Sequence, residues 1–414
     1  MTELDSPKGG AMPASYDMPE RPEQFRDDID LASRWLGASV LAASDESFGE
    51  KENLLKPEPA YFEPGHYSHR GEIVDGWETK RRRQPGHDWA IIRLGAPGVI
   101  SGVDVDTSFF TGNFPTTCKI EASGCEGYPS PEDLNSDSTV WNEIVPMCPL
   151  AGDCHNHFTV TDKRRFTHIR LSAFPDGGIA RLRVYGRAVP DPRIFNGLSV
   201  DLASRYLGGR IVSSSDGFYS SASVLNRPDV ARTMGEGWET RRRRDDDNDF
   251  AIIQLAYSGS VRLIEVDTAY FKYNASAAVS ISGSNESELK DDLAMHWFPV
   301  LDRQRLQPDT MHRFRIPGSG MVANHLRFDV YPDGGISRIR IFGDIEPSAR
   351  IAAGQKWFAA LPTEQAVAVL AGYGYPHDKA REVVAAGLQR VDLDKLYGEN
   401  SPGGRSADET RNKA

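Results

Sequence analysis

"HIRLSAFPDGGIARLRVYG" occupies residues 168–186, and "HLRFDVYPDGGISRIRIFG" repeats it at 325–343. In the first copy Ile169, Leu171 and Ala173 share one face, "PDGG" turns the chain, and Leu182 and Val184 return on that face. Period-two alternation on both arms predicts a β-hairpin with a buried side. Other segments recur in the same order. "DLASRWLG" (30–37) returns as "DLASRYLG" (201–208), "DWAIIRL" (88–94) as "DFAIIQL" (249–255), and "VDTSFF" (105–110) as "VDTAYF" (266–271). A spacing of about 160 residues is a domain duplication, since solenoid repeats are far shorter. Ala90, Ile92 and Leu94 share a face, as do Val103, Val105 and Thr107, which alternate with Asp104 and Asp106. Short half-buried strands with little helix predict an all-β chain of two tandem jelly-roll β-sandwich domains. "DLASRWLG" reads as a short helix capped by Asp30, and its second copy as one capped by Asp201.

The expected division is a disordered tail at 1–28, repeat one at 29–190, repeat two at 197–345, and a small helical extension with a disordered tail at 346–414. Within the extension, Pro362 and Thr363 open one helix, Gly372 stops it, and "PHDKAREVVAAGLQ" supplies another.

The net charge of −11 opposes sequence-independent binding to nucleic acid. No run of eighteen apolar residues could span a membrane, and the N-terminus lacks the pattern of a secretory signal. A cytoplasmic location with free thiols is expected for Cys118, Cys125, Cys148 and Cys154. "CPLAGDCHNH" (148–157) gathers Cys148, Cys154, His155 and His157. Its cysteines do not have zinc-knuckle spacing, and repeat two offers only His312 at the comparable place. No metal and no other cofactor is expected. Formation of a homo-oligomer is left open.

"GWETKRRR" (76–83) and "GWETRRRR" (237–244) put a basic bundle in both copies of an acidic chain. On a strand, Trp77, Thr79, Arg81 and Arg83 would share one face and Glu78, Lys80 and Arg82 the other. Neither face reads as core, so an edge, a rim or a loop is expected. A solvated charge run, a nuclear-localisation-like tract or an ion-pair brace would explain the arginines without a site. The dense grouping of Trp77, Glu78, the arginines and His87 points instead to a site for a small carboxylate.

The stretch 52–115, containing "DGWETKRRRQPGHDWAIIRL", resembles the first repeat of the allantoicase family. "GEGWETRRRR" and the two "PDGG" segments resemble it as well, and the likeness covers about residues 29–345. The resemblance implies two jelly rolls of galactose-binding (discoidin-like) type. It also implies hydrolysis of allantoate to ureidoglycolate and urea in purine (allantoin) degradation. Repeat two departs from repeat one, with Tyr273 at the place of Gly112 and "DDDNDF" in place of "PGHDW".

Allantoate carries one carboxylate and two ureido groups on one carbon. Release of urea therefore calls for an arginine, donors to the ureido oxygens, and an acid/base group of tuned pKa. Glu78, His87 and Asp106 are the candidate catalytic residues. Trp77, Arg81, Arg82, Arg83, Thr107 and Asn113 are the candidate substrate contacts, whereas Asp176 fits a turn-setting role. The partner expected is a small ureide. Rival readings are a discoidin-like module binding a small ligand or carbohydrate, a hydrolase of a neighbouring ureide, and a nucleic-acid binder.

Overall fold

A computed structural model describes residues 22–25, 28–69, 71–288, 295–317 and 321–386. Of the tails expected to be disordered, 1–28 and 401–414, residues 1–21, 26–27 and 401–414 lie outside them, whereas Glu23–Phe25 form a 3-10 turn whose Phe25 is buried against Tyr185.

One long strand organises each repeat. Asp88–Asp106 pairs through its first half with Ser39–Ala43 and Arg165–Phe174. Through its second half it pairs with His155–Thr159 and Arg181–Ala188. Thr117–Ser123 and Asn142–Pro149 extend the first layer beyond Arg165–Phe174. All these pairings are antiparallel, so a single strand crosses both layers of a jelly-roll sandwich. Asp249–Asp267 does the same in repeat two, with the same order of neighbours.

The hairpin expected around "PDGG" is not formed. Arg165–Phe174 and Arg181–Ala188 each pair with the long strand and not with one another. Ile169, Leu171, Ala173, Leu182 and Val184 are all buried in one core, facing inward from opposite layers. Between them Gly178–Ile179 pairs with Trp77–Glu78, which ties the turn to the "GWET" segment. "DLASRWLG" also differs from expectation. It forms the 3-10 turn Arg34–Leu36, capped by the Ser33 hydroxyl, which accepts from the Trp35 amide at 3.2 Å. Asp30 accepts instead from the amides of Ala32 and Val184, joining the turn to the sheet. In repeat two Asp201 likewise accepts from Ala203 and Ile341.

Helices Pro347–Ala360, Thr363–Gly372 and His377–Ala385 follow the second sandwich. Trp357, Phe358, Leu361, Val367 and Leu370 form a separate core that reaches Val189. The Gln365 amide donates to Glu126 of repeat one at 2.6 Å. The two repeats also touch, through Arg232–Glu58 at 3.2 Å and Arg227 stacked on the Trp35 ring. No described helix is long and apolar enough to cross a membrane.

Candidate active site

The "GWET" segment is split between core and surface. Trp77 is fully buried and donates its indole N–H to the Asp45 carbonyl at 2.8 Å. Thr79 is buried too, and its hydroxyl accepts from the Gly177 amide at 3.0 Å. The expectation that neither face could be core is therefore corrected: the Trp–Thr face anchors the strand, and only the residues beyond it reach solvent. Trp77, expected to contact substrate, has no surface to offer one.

Glu78 stands between these anchors. The Asn113 side chain donates to its Oε1 at 2.7 Å, while the Asn113 carbonyl accepts from the Gly178 amide at 2.7 Å. Two glycines make that approach possible. A Cβ on Gly177, whose φ is +135°, would lie 2.5 Å from the Asn113 oxygen, and one on Gly178 would lie 1.9 Å from the Phe110 ring. Among the described residues no cation pairs with Glu78. Burial pushes its carboxyl above the ordinary range, and the Asn113 hydrogen bond opposes this only in part.

The arginine bundle separates into two roles. The Arg82 backbone N–H donates to Asp176 at 2.8 Å, and its Nη1 donates to Asp88 at 2.7 Å. Asp88 is buried and also accepts from Ser44. Repeat two reproduces this, with Arg243 donating to Asp333 and Asp249 at 2.6 and 2.9 Å. Arg82 is thus a brace between the turn and the long strand. Asp176 holds the turn, as expected of it. Lys80 is likewise tied to Asp45. Arg81 and Arg83 differ: both are exposed, and neither makes an ion pair among the described residues. They are guanidinium forks free to take a ligand.

His87 stacks on Phe174, with centroids 4.4 Å apart. Burial, and then the charges of Lys119, Arg82 and Arg170, push its pKa down, so the imidazole is neutral at pH 7. Repeat two has Asn248 there, donating to Asp329 at 2.9 Å. Asp106 and Thr107 do not join Glu78. Asp106 is buried and caps the Ser108 amide at 2.8 Å. The Thr107 hydroxyl, fully buried, donates to the Ala151 carbonyl at 2.7 Å. Asp267 and Thr268 make matching contacts in repeat two, so "VDT" is a turn device in both sandwiches.

A second cluster joins two histidines that the sequence reading had grouped with cysteines, and set aside as a metal site, to an aspartate it had not connected with them. His155 and His157 lie on one face of their strand, opposite Asp106 and Asp104. Asp104 Oδ2 is 2.8 Å from His155 Nδ1 and 3.7 Å from His157 Nε2. The signal was the H-x-H spacing facing an outward aspartate, obscured by the neighbouring cysteines. Those cysteines do not converge: Cys148 stands opposite Cys118, and the Cys154 thiol turns to the Ala151 carbonyl.

The allantoicase repeat matches residues 29–189 and again 200–346. The chain belongs to the allantoicase family. Probable allantoicases from Streptomyces coelicolor and Nocardia farcinica are 47% and 46% identical to it. The first alignment covers 84% of this chain and 94% of the relative, the second 78% and 96%. The crystal structure of Saccharomyces cerevisiae allantoicase superposes with a TM-score of 0.64 at 33% identity, covering 77% of this chain and 93% of that one. Both allantoicase repeats thus carry the "GWET" strand, its glutamate–asparagine pair and its arginine brace.

Proposed function

We propose that this allantoicase-family enzyme hydrolyses allantoate to ureidoglycolate and urea at the Glu78 end of repeat one. In this reaction a C–N bond to one ureido group breaks. Water supplies the oxygen of the new C–O bond, and the leaving nitrogen takes a proton. The observation that carries the assignment is Glu78 itself, a desolvated carboxyl with the Asn113 amide as partner and, among the described residues, no cation. A raised pKa favours the protonated acid, which can give its proton to the leaving nitrogen and recover one from the attacking water. Asn113 fixes the carboxylate, and its remaining amide N–H suits a ureido oxygen. Arg81 and Arg83 supply forks for the substrate carboxylate, while Arg82 holds the segment in place. The neutral imidazole of His87 supports the same end of the sandwich and is found in repeat one only.

Repeat two retains the pair, with Asn274 donating to Glu239 at 2.6 Å, but its surroundings are altered. Asn248 replaces His87, and the fully exposed Tyr273 replaces Gly112. We therefore assign productive turnover to repeat one. The four free thiols support a reducing, cytoplasmic setting, with Cys118 and Cys148 cross-strand neighbours yet unbonded.

Measuring urea release from allantoate, allantoin and ureidoglycolate tests the reading. Allantoate should be the productive substrate, and Glu78→Gln should lower its kcat/KM by about 10²- to 10⁴-fold. Turnover of a neighbouring ureide in preference to allantoate would overturn it.

A further inference from the structure

We propose that Asp104, His155 and His157 form a binding site for a divalent first-row transition-metal ion on the outer face of repeat one. Three observations lead there.

The first is donor geometry. Oxygen and imidazole donors lie about 2.0–2.2 Å from such an ion, so neighbouring donors stand about 3–3.5 Å apart. Asp104 Oδ2 is 2.8 Å from one imidazole nitrogen and 3.7 Å from the other, and the three donor atoms all lie within 4.8 Å of one another. Both imidazoles are partly exposed, at 28% and 32%, so small rotations bring them to the ion and leave positions open to water. Asp104 and His157 are cross-strand partners, and His155 lies two residues away on the same face. The backbone thus holds the donors in place before any ion arrives.

The second is an unsatisfied oxygen. Asp104 is only 3% exposed, and its Oδ1 is buried without a hydrogen-bond partner. A buried carboxylate in that state is costly unless a cation compensates it. Asp106, with Oδ1 3.9 Å from His155 Nε2, adds a second negative charge beside the imidazoles.

The third is the duplicated domain. Repeat two has Glu265 at the place of Asp104, and its strand partner there is Arg313. Arg313 pairs with Glu265 at 2.8 Å, and Met311 stands opposite Asp267 as His155 stands opposite Asp106. An arginine faces the carboxylate from the other neighbouring strand in both copies, Arg183 in one and Arg340 in the other, so it does not account for the difference. Repeat two carries its compensating cation on the chain. Repeat one offers two imidazoles instead, which suit a transition ion and not the oxygen-seeking Ca²⁺ or Mg²⁺.

The test is cobalt binding, independent of which residues hydrolyse the substrate. Chelator-treated full-length protein is titrated with CoCl₂ while ligand-field absorption and bound cobalt are measured. One equivalent should bind and give visible bands, and His157→Ala should abolish both. The double variant His155→Met with His157→Arg copies the side chains that repeat two carries on the same fold. It should keep the wild-type circular dichroism and bind no cobalt, whereas Arg313→Ala in repeat two should bind as wild type does. If the double variant does not fold, thermal shift with added Zn²⁺ decides between wild type and His157→Ala. Stabilisation of the first alone supports the site. Absence of saturable binding by wild type, or binding that survives loss of the histidines, overturns it.

Discussion

Arg82 and its two neighbours share a charge and differ in what they touch. Arg82→Ala strips a buried Asp88 of its cation, so a loss of about 2 kcal/mol is expected. For a domain of this size that lowers the melting temperature by about 4–8 °C. Arg81→Lys and Arg83→Lys remove no ion pair and should leave melting unchanged. The one that clamps the substrate carboxylate should lose about thirty- to a hundredfold in kcat/KM, since lysine lacks the planar fork. Calorimetry alongside steady-state urea release separates the two roles. At Glu78 the sign follows from burial, which raises its pKa above the ordinary 4.5. Folding then favours the protonated form, and that contribution is present below the ordinary value and lost as pH rises through the raised one. Glu78→Gln should therefore melt with wild type in acid and above it at neutral pH. A melting difference independent of pH would contradict the assigned burial.

The turn between Phe174 and Arg181 brings Glu78 and Asn113 together, and its glycines test that. Gly178→Ala drives a methyl into Phe110, so a loss of about 1–3 kcal/mol is expected, with a larger fall in activity than stability alone explains. An unchanged melting temperature would show that the turn has slack. This element also shows how far the sequence could be read. The inward residues on both arms were legible from alternation, and all of them are in the core. Their pairing was not, because alternation marks the buried face without saying in which layer the strand lies. A hairpin and two strands facing across a sandwich leave the same pattern. The Trp77–Glu78 strand was misread for a related reason. Four basic residues dominated the segment, and the indole anchor needed only two positions. Glu78 and Asn113 could be named from chemistry, yet their contact depended on a glycine turn that lies far along the chain. Asp104 was legible only as an outward strand residue, since its histidines arrive from another strand.

The whole molecule consists of two similar sandwiches with unequal surroundings and a helical extension packed against both. Trp357 is fully buried in that extension, and the guanidinium groups of Arg165 and Arg193 both lie over its ring. Trp357→Ala should cost about 3–5 kcal/mol and leave urea release per folded molecule unchanged. A fall in turnover with the fold intact would tie the extension to catalysis. The duplication supplies its own control for the site, because Glu78–Asn113 and Glu239–Asn274 are the same pair in the same strand–turn setting. Repeat one alone adds His87. The decisive measurement is kcat/KM for urea release from allantoate by Glu78→Gln and Glu239→Gln, side by side. Catalysis in repeat one requires a loss of about 10²- to 10⁴-fold from the first and near-wild-type turnover from the second. Equal losses from the two would contradict it and place an equivalent active site in each repeat.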